Sequence, residues 1–184
     1  MYRTRAEADT YFGDQLFATD WTGASDGDKD LALEMASAAI DHLRYKGVKN
    51  TLYTALVAAG GDTTQTTDEM LANTSLTQKE INTANEAQAT QFPRDGEADI
   101  PDRVWYAVCE EARELLAGRD PQQEYRNMEL TSENIGGQQS SFAVSASSTS
   151  KLPPQHTVHQ IVSPKAWLYL VPFLGRGNTG FKVK

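Results

Sequence analysis

Pro101-Asp102-Arg103-Val104-Trp105-Tyr106-Ala107-Val108-Cys109-Glu110-Glu111-Ala112-Arg113-Glu114-Leu115-Leu116-Ala117-Gly118 decides the fold of this 184-residue chain. Its apolar residues recur at helical spacing, which predicts the strongest helix in the sequence. Pro101 suits the first helical position, Asp102 favours the positive end, and Gly118 stops the helix after Arg113. The stripe Val104, Val108, Ala112 and Leu115 is expected to be buried, with Trp105, Ala107, Glu111 and Leu116 on or beside its flank. Three acids so close together, Glu110, Glu111 and Glu114 with Arg113 among them, are expected on a solvated face.

Towards the N-terminus, Thr4-Arg5-Ala6-Glu7 is a capping box, opening a helix that carries Ala8, Tyr11 and Phe12 and reaches Leu16. Ser25 or Asp26 caps a longer helix, with Asp28 and Asp30 in its positive first turn. Its expected stripe is Ala32, Met35, Ala36, Ala39, Ile40 and Leu43, and Gly47 is the expected stop. Residues 50–90 read as a helical hairpin excursion. Leu52 to Ala59 forms one arm, ended by Gly60-Gly61; Asp62 to Asp68 is a loop; Thr77 begins the other.

Past Asp120-Pro121 the pattern changes. Met128 to Asn134 and Ser140 to Ser147 alternate around Gly136-Gly137, a hairpin signal, and Ser145 to Ser150 reads as a flexible link. Ala166 to Val171 is a short apolar stretch that Ser163-Pro164 can cap as a helix and Pro172 disrupts. The expected fold is mainly α, a small helical bundle with a β-hairpin ribbon and an extended C-terminal arm. Residues 1–120 would form the helical core with 50–90 as an insertion, 121–150 the ribbon and link, and 151–184 a docking arm.

Charge sharpens that division. All 25 acidic side chains lie before Lys151, while the last 34 residues hold five Lys/Arg and no acid. An acidic body with a cationic, aromatic, proline-punctuated end points to association. The expected partner-interface residues are Trp167, Leu168, Leu170, Phe173, Leu174 and Phe181, as apolar anchors, with Lys182 and Lys184 pairing with acidic groups. A chain ending at Ser150 is then expected to stay folded. The competing reading packs Ala166–Val171 on the chain's own bundle. The net charge of −8 argues against a general nucleic-acid binder. One cysteine fits a reducing compartment, and no apolar run or signal-peptide core is present, so a cytoplasmic origin is expected.

Motifs for chemistry fail on their physical requirements. Gly175-Arg176-Gly177-Asn178-Thr179-Gly180 matches a dinucleotide fingerprint, but four residues cannot form the helix that must follow. Asp26-Gly27-Asp28-Lys29-Asp30 opens like a calcium loop, yet Leu31 and Ser37 occupy the required Gly and Glu places. His156 and His159 lack further ligands nearby. Cys109 reads as a buried thiol. The expectation is no enzyme, no cofactor and no metal.

The order of several stretches resembles the tailed-phage head-to-tail connector family, also called adaptor or head-completion proteins. These are Tyr2-Arg3-Thr4-Arg5-Ala6-Glu7-Ala8-Asp9-Thr10-Tyr11-Phe12, Trp21, and Ser25-Asp26 with Lys29 and Ala32-Leu33. Next come Ile40-Asp41, Tyr45-Lys46-Gly47, Phe92-Pro93-Arg94, and Ile100-Pro101 with Val104. Ala107, Glu110-Glu111-Ala112, Leu115-Leu116 and Ser132-Glu133-Asn134-Ile135-Gly136 follow. The closing segment Pro164 to Leu174 ends in Leu170-Val171-Pro172-Phe173-Leu174, where the family usually shows leucine-proline-aromatic-leucine. Phe92 stands where tryptophan is common, and residues 50–90 fall outside the resemblance.

The resemblance implies a structural virion protein in the neck at the portal vertex, assembled in host cytoplasm. It implies a homo-oligomeric ring, commonly of twelve subunits, bound to the portal protein and offering a seat to a tail or neck protein. Genome DNA would pass through its channel without specific binding, and no membrane is involved. Two alternatives are a single-stranded-DNA-binding module and a tail-side neck or tail-completion protein.

Overall fold

The computed structural model describes residues 2–123, 132–135, 138–141 and 155–175, the two short central stretches as backbone alone. The helices among them are α1 (Arg5–Gly13), α2 (Thr19–Thr22), α3 (Asp26–Asp41), α4 (Asn50–Ala58), α5 (Thr67–Asn73), α6 (Gln78–Glu86), α7 (Asp102–Leu116), α8 (Gln155–Val158) and α9 (Pro164–Leu170). A 3-10 turn, Val171–Phe173, follows α9. The fold is mainly helical.

The helix α7 is the axle of the fold. It packs chiefly between α3 and α9. Val104, Trp105, Ala107, Val108, Cys109, Glu110, Glu111 and Ala112 are all buried, so contact surrounds its middle turns instead of covering one stripe. Pro101 serves as the N-cap and the helix starts at Asp102. Leu115, expected in the stripe, is only partly buried, packed against the edge of the main cluster one residue before the helix ends.

Local signals set most helix starts. Glu7 accepts hydrogen bonds from the N–H and hydroxyl of Thr4, both at 2.9 Å. Thr66–Glu69 and Thr77–Glu80 repeat the same reciprocal box. The Thr66 box starts a helix inside what the composition reads as loop, so the excursion holds three helices, not two. Ser25 caps α3 by accepting from the Asp28 N–H at 3.2 Å.

Two boundaries differ from expectation. The first helix ends at Gly13, leaving Leu16 in the following loop. The third ends at Asp41, not at Gly47. Its buried face is Ala32, Leu33, Ala36, Ser37 and Ile40, with Met35 half exposed. Gly47 is needed for a different reason: its φ is +71° and a Cβ there would meet the Asp95 carboxylate at 1.7 Å. That carboxylate accepts the Val48 N–H at 2.8 Å, closing the entry to the excursion.

Among the described residues, two clusters of buried apolar residues result. The main one draws Phe12, Trp21, Leu33, Ile40, Phe92, Val104 and Val108 together with Ile161, Ala166, Trp167, Leu170 and Leu174. The second is Val48, Leu52, Leu56 and Met70, with Tyr53, Leu71, Leu76, Ile81 and Ala84 against it. Residues 50–90 are thus a small helical unit with a core of its own.

The division into a 1–120 core and a 151–184 arm needs correction. Residues 161–174 complete the main core, because Trp167, Leu170 and Leu174 fill the side of α7 that α3 leaves open. The β-hairpin ribbon is not supported as part of this architecture. Ser132–Ile135 and Gln138–Ser141 align antiparallel as backbone, with Ser132 opposite Ser141. Their sequences, Ser-Glu-Asn-Ile and Gln-Gln-Ser-Ser, offer one apolar side chain, and a two-stranded pair with no apolar face is marginal. The Ser145–Ser150 link lies outside the described residues.

Candidate functional site

The acidic triplet of α7 is where the structure departs furthest from the sequence reading. Glu110 and Glu111 are completely buried, and both hold the C-terminal segment. Burying a carboxylate is costly unless charge and hydrogen bonds replace its water. Glu111 meets this with backbone: its Oε1 accepts the Val162 N–H and its Oε2 the Ser163 N–H, each at 2.9 Å. The donors are the N-cap residue of α9, Ser163, and the residue before it, so neither N–H has a partner within the helix. Ser163 then caps the helix by accepting the Ala166 N–H at 3.2 Å, and Pro164 follows.

Glu110 meets it with side chains. Its Oε1 accepts from the Tyr11 hydroxyl at 2.8 Å and from Lys165 Nζ at 2.5 Å. Its Oε2 lies 3.0 Å from an Arg113 nitrogen, close enough for charge attraction although the angle makes no hydrogen bond. Burial chiefly, and then the bond to Glu110, push the Tyr11 phenol above its usual range. Glu110 therefore ties α1 and α9 to α7. The solvated-face expectation is overturned for both acids, and Glu114 alone of the three stays on the flank, 3.1 Å from Arg113.

The expected partner anchors divide. Trp167, Leu170 and Leu174 are buried in the protomer's own core, and Phe173 is half-buried with its ring edge-on to Phe92 at 5.6 Å. These are corrected: side chains that complete the core cannot also grip a foreign surface without opening it. The backbone agrees, since Lys46 N–H donates to the Phe173 carbonyl and Gly175 N–H to the Arg44 carbonyl, both at 2.9 Å. Leu168 is 71% exposed and faces solvent. Phe181, Lys182 and Lys184 lie outside the described residues.

The other candidates have structural duties. Asp26 and Asp30 both pair with Arg5, at 2.6 and 3.6 Å. The His156 ring nitrogen Nδ1 lies 2.9 Å from the Ile161 carbonyl, and the His159 ring stacks on Trp167 at 5.3 Å. Cys109 is buried, and burial raises its thiol well above the ordinary range. Among the described residues, no three His, Cys, Asp or Glu converge as metal ligands, and no helix is long and apolar enough to cross a membrane.

Sequence reasoning missed the exposed pair Leu16-Phe17, at 83% and 87% exposure. Gly13-Asp14, which ends α1 early, was the local signal for it. Lys165 links this loop to α9, its Nζ 3.5 Å from Gln15 Oε1.

No family model, no curated protein and no solved structure matches the chain. The resemblance to the head-to-tail connectors rests on the residues quoted for it.

Proposed function

We propose that the chain is a non-enzymatic head-to-tail adaptor of a tailed phage. Copies assemble as a ring, of about twelve by the family resemblance, under the portal protein in the virion neck. The ring continues the DNA channel and seats the tail or neck protein.

One observation carries this reading: the scattered stretches of the resemblance interlock, while residues 50–90, joined to Phe92 and Pro93 by hydrogen bonds at their base, gather their large apolar side chains in a cluster of their own. The Tyr2 hydroxyl donates to Asp41, and the rings of Tyr2 and Tyr45 lie 6.4 and 4.7 Å from Phe92. Arg94 Nε donates to the Lys46 carbonyl at 2.8 Å, and Phe173 closes on Phe92. Glu110 and Glu111 clasp the closing segment. Motifs that meet in space are those a shared scaffold retains, whereas an insertion brings its own core.

The acidic balance also suits a channel through which DNA slides, because like charge prevents the backbone from sticking. With Trp167, Leu170 and Leu174 committed to the core, portal contact falls to exposed Leu168 and to Phe181, Lys182 and Lys184. Electron microscopy of the purified chain mixed with its own phage's portal rings tests the reading; added density on one face of the portal is expected. Portal rings that stay bare at high protein concentration overturn it. Filter binding to single-stranded DNA, repeated at two salt concentrations, separates the alternative, which requires affinity that falls steeply with salt.

A further inference from the structure

Leu16 and Phe17 sit at the tip of the loop between α1 and α2, almost wholly exposed. Phe17 has φ +68°, a left-handed conformation that is unfavourable for a bulky L-residue. The base of the loop is firm. Phe12 and Ala18 on either side are buried, and Gln15 N–H donates to the Phe12 carbonyl at 3.1 Å. The chain thus holds two large apolar side chains in water, on an anchored loop, at a conformational cost.

A groove on the same chain lies beside them. Its apolar wall is Leu31 and Met35 of α3, facing Leu115 and Leu116 at the end of α7 and Pro121 beyond it. Leu31 and Met35 are 56% and 50% exposed. Its rim includes Thr19 and Asp20, two and three residues after Phe17. A projection beside its own matching groove is the arrangement a two-fold axis satisfies, because one rotation seats both projections at once.

We infer that the unassembled protein pairs with a second copy about a two-fold axis, each placing Leu16 and Phe17 in the other's groove between α3 and the end of α7. Four such side chains bury on the order of 600 Å² and the walls they meet add a similar area, which reaches the lower end of stable interfaces. The contact carries a net negative charge: Asp14 beside the projection and Asp20, Asp28 and Asp120 on the rim outnumber Arg119, which lines the same groove and pairs with Glu114 at 3.3 Å. Net like charge then faces net like charge, so the pair forms more tightly as salt rises. A two-fold pair closes on itself and cannot grow into a ring. It belongs to the unassembled protein, and the inference does not rest on the adaptor reading.

Sedimentation velocity of the full chain tests this from ~1 to ~300 µM, at ~50 and ~500 mM NaCl. Expected is a monomer–dimer equilibrium, with at least threefold stronger association at the higher salt. Leu16→Ser with Phe17→Ser gives a monomer, as does Leu31→Ser with Met35→Ser. Mixing the two variants restores a heterodimer through the one remaining intact contact. Phe17→Gly separates the two effects: it relieves the left-handed strain and raises Tm, yet weakens association. A wild-type chain that stays monomeric throughout overturns the inference, as does association unchanged in the Leu16/Phe17 variant. Loss of Tm with unchanged mass in the Leu31/Met35 variant also overturns it, because the chain's own residues would then fill the groove.

Discussion

Glu111 holds Ser163 across 51 intervening residues: its Oε2 accepts the Ser163 backbone N–H at 2.9 Å, inside a fully buried site. Its other oxygen takes the neighbouring N–H of Val162. One side chain therefore fixes where the last helix begins and which face it turns to α7.

Replacing Glu111 with Ala leaves both N–H groups buried without that acceptor. Each such loss costs ~1–3 kcal/mol, so a total of about 2–6 kcal/mol is expected. Chemical denaturation measures the total, and hydrogen exchange should show α9 amides losing protection before those of α3. Glu111→Gln, which offers one acceptor, should fall between Ala and the wild type.

A chain ending at Ser150 should not fold to the native core. It lacks Ile161, Ala166, Trp167, Leu170 and Leu174, all packed in the main cluster. Trp167→Ala alone is expected to cost ~3–5 kcal/mol. Near-ultraviolet circular dichroism of the shortened chain checks the first expectation, and a native spectrum would return residues 161–174 to the role of a separate arm. A chain ending at Gly175 should keep the native spectrum.

The three capping boxes make stability depend on pH in the acid range. Backbone N–H groups of Thr4, Thr66 and Thr77, followed by their hydroxyls, hold the carboxyls of Glu7, Glu69 and Glu80 below the ordinary value. A depressed folded-state pKa gives stability that is full above the unfolded value of about 4.3 and is lost as pH falls through the folded value. Wild-type Tm should therefore drop more steeply below about pH 4.5 than that of the triple Glu→Gln variant. Parallel profiles would show that the boxes add nothing.

Met70 fills the separate cluster of the excursion with Leu56 and Leu52. Met70→Ala should cost ~2–4 kcal/mol locally. Hydrogen exchange is expected to rise in α5 and α6 while α7 keeps its protection, because the two clusters unfold as distinct units. Equal loss in α7 would mean that the excursion and the main core are one cooperative body.

The residues that sequence alone decided are those whose partners lie within one helical turn. Thr4 with Glu7 and Thr77 with Glu80 declare their helices, as does Ser25 with Asp28, because each cap is a contact three residues long. The periodicity of 104–112 likewise marks α7. Periodicity reports one preferred face, however, and carries no count of how many neighbours will arrive. Only tertiary packing, by bringing both α3 and α9 against α7, buried Glu110 and Glu111 and turned a stretch that reads as solvated into the clasp of the C-terminal segment. The same holds for Trp167 and Leu168: adjacent and apolar, they are alike in sequence, and the approach of α7 alone puts one in the core and the other in water.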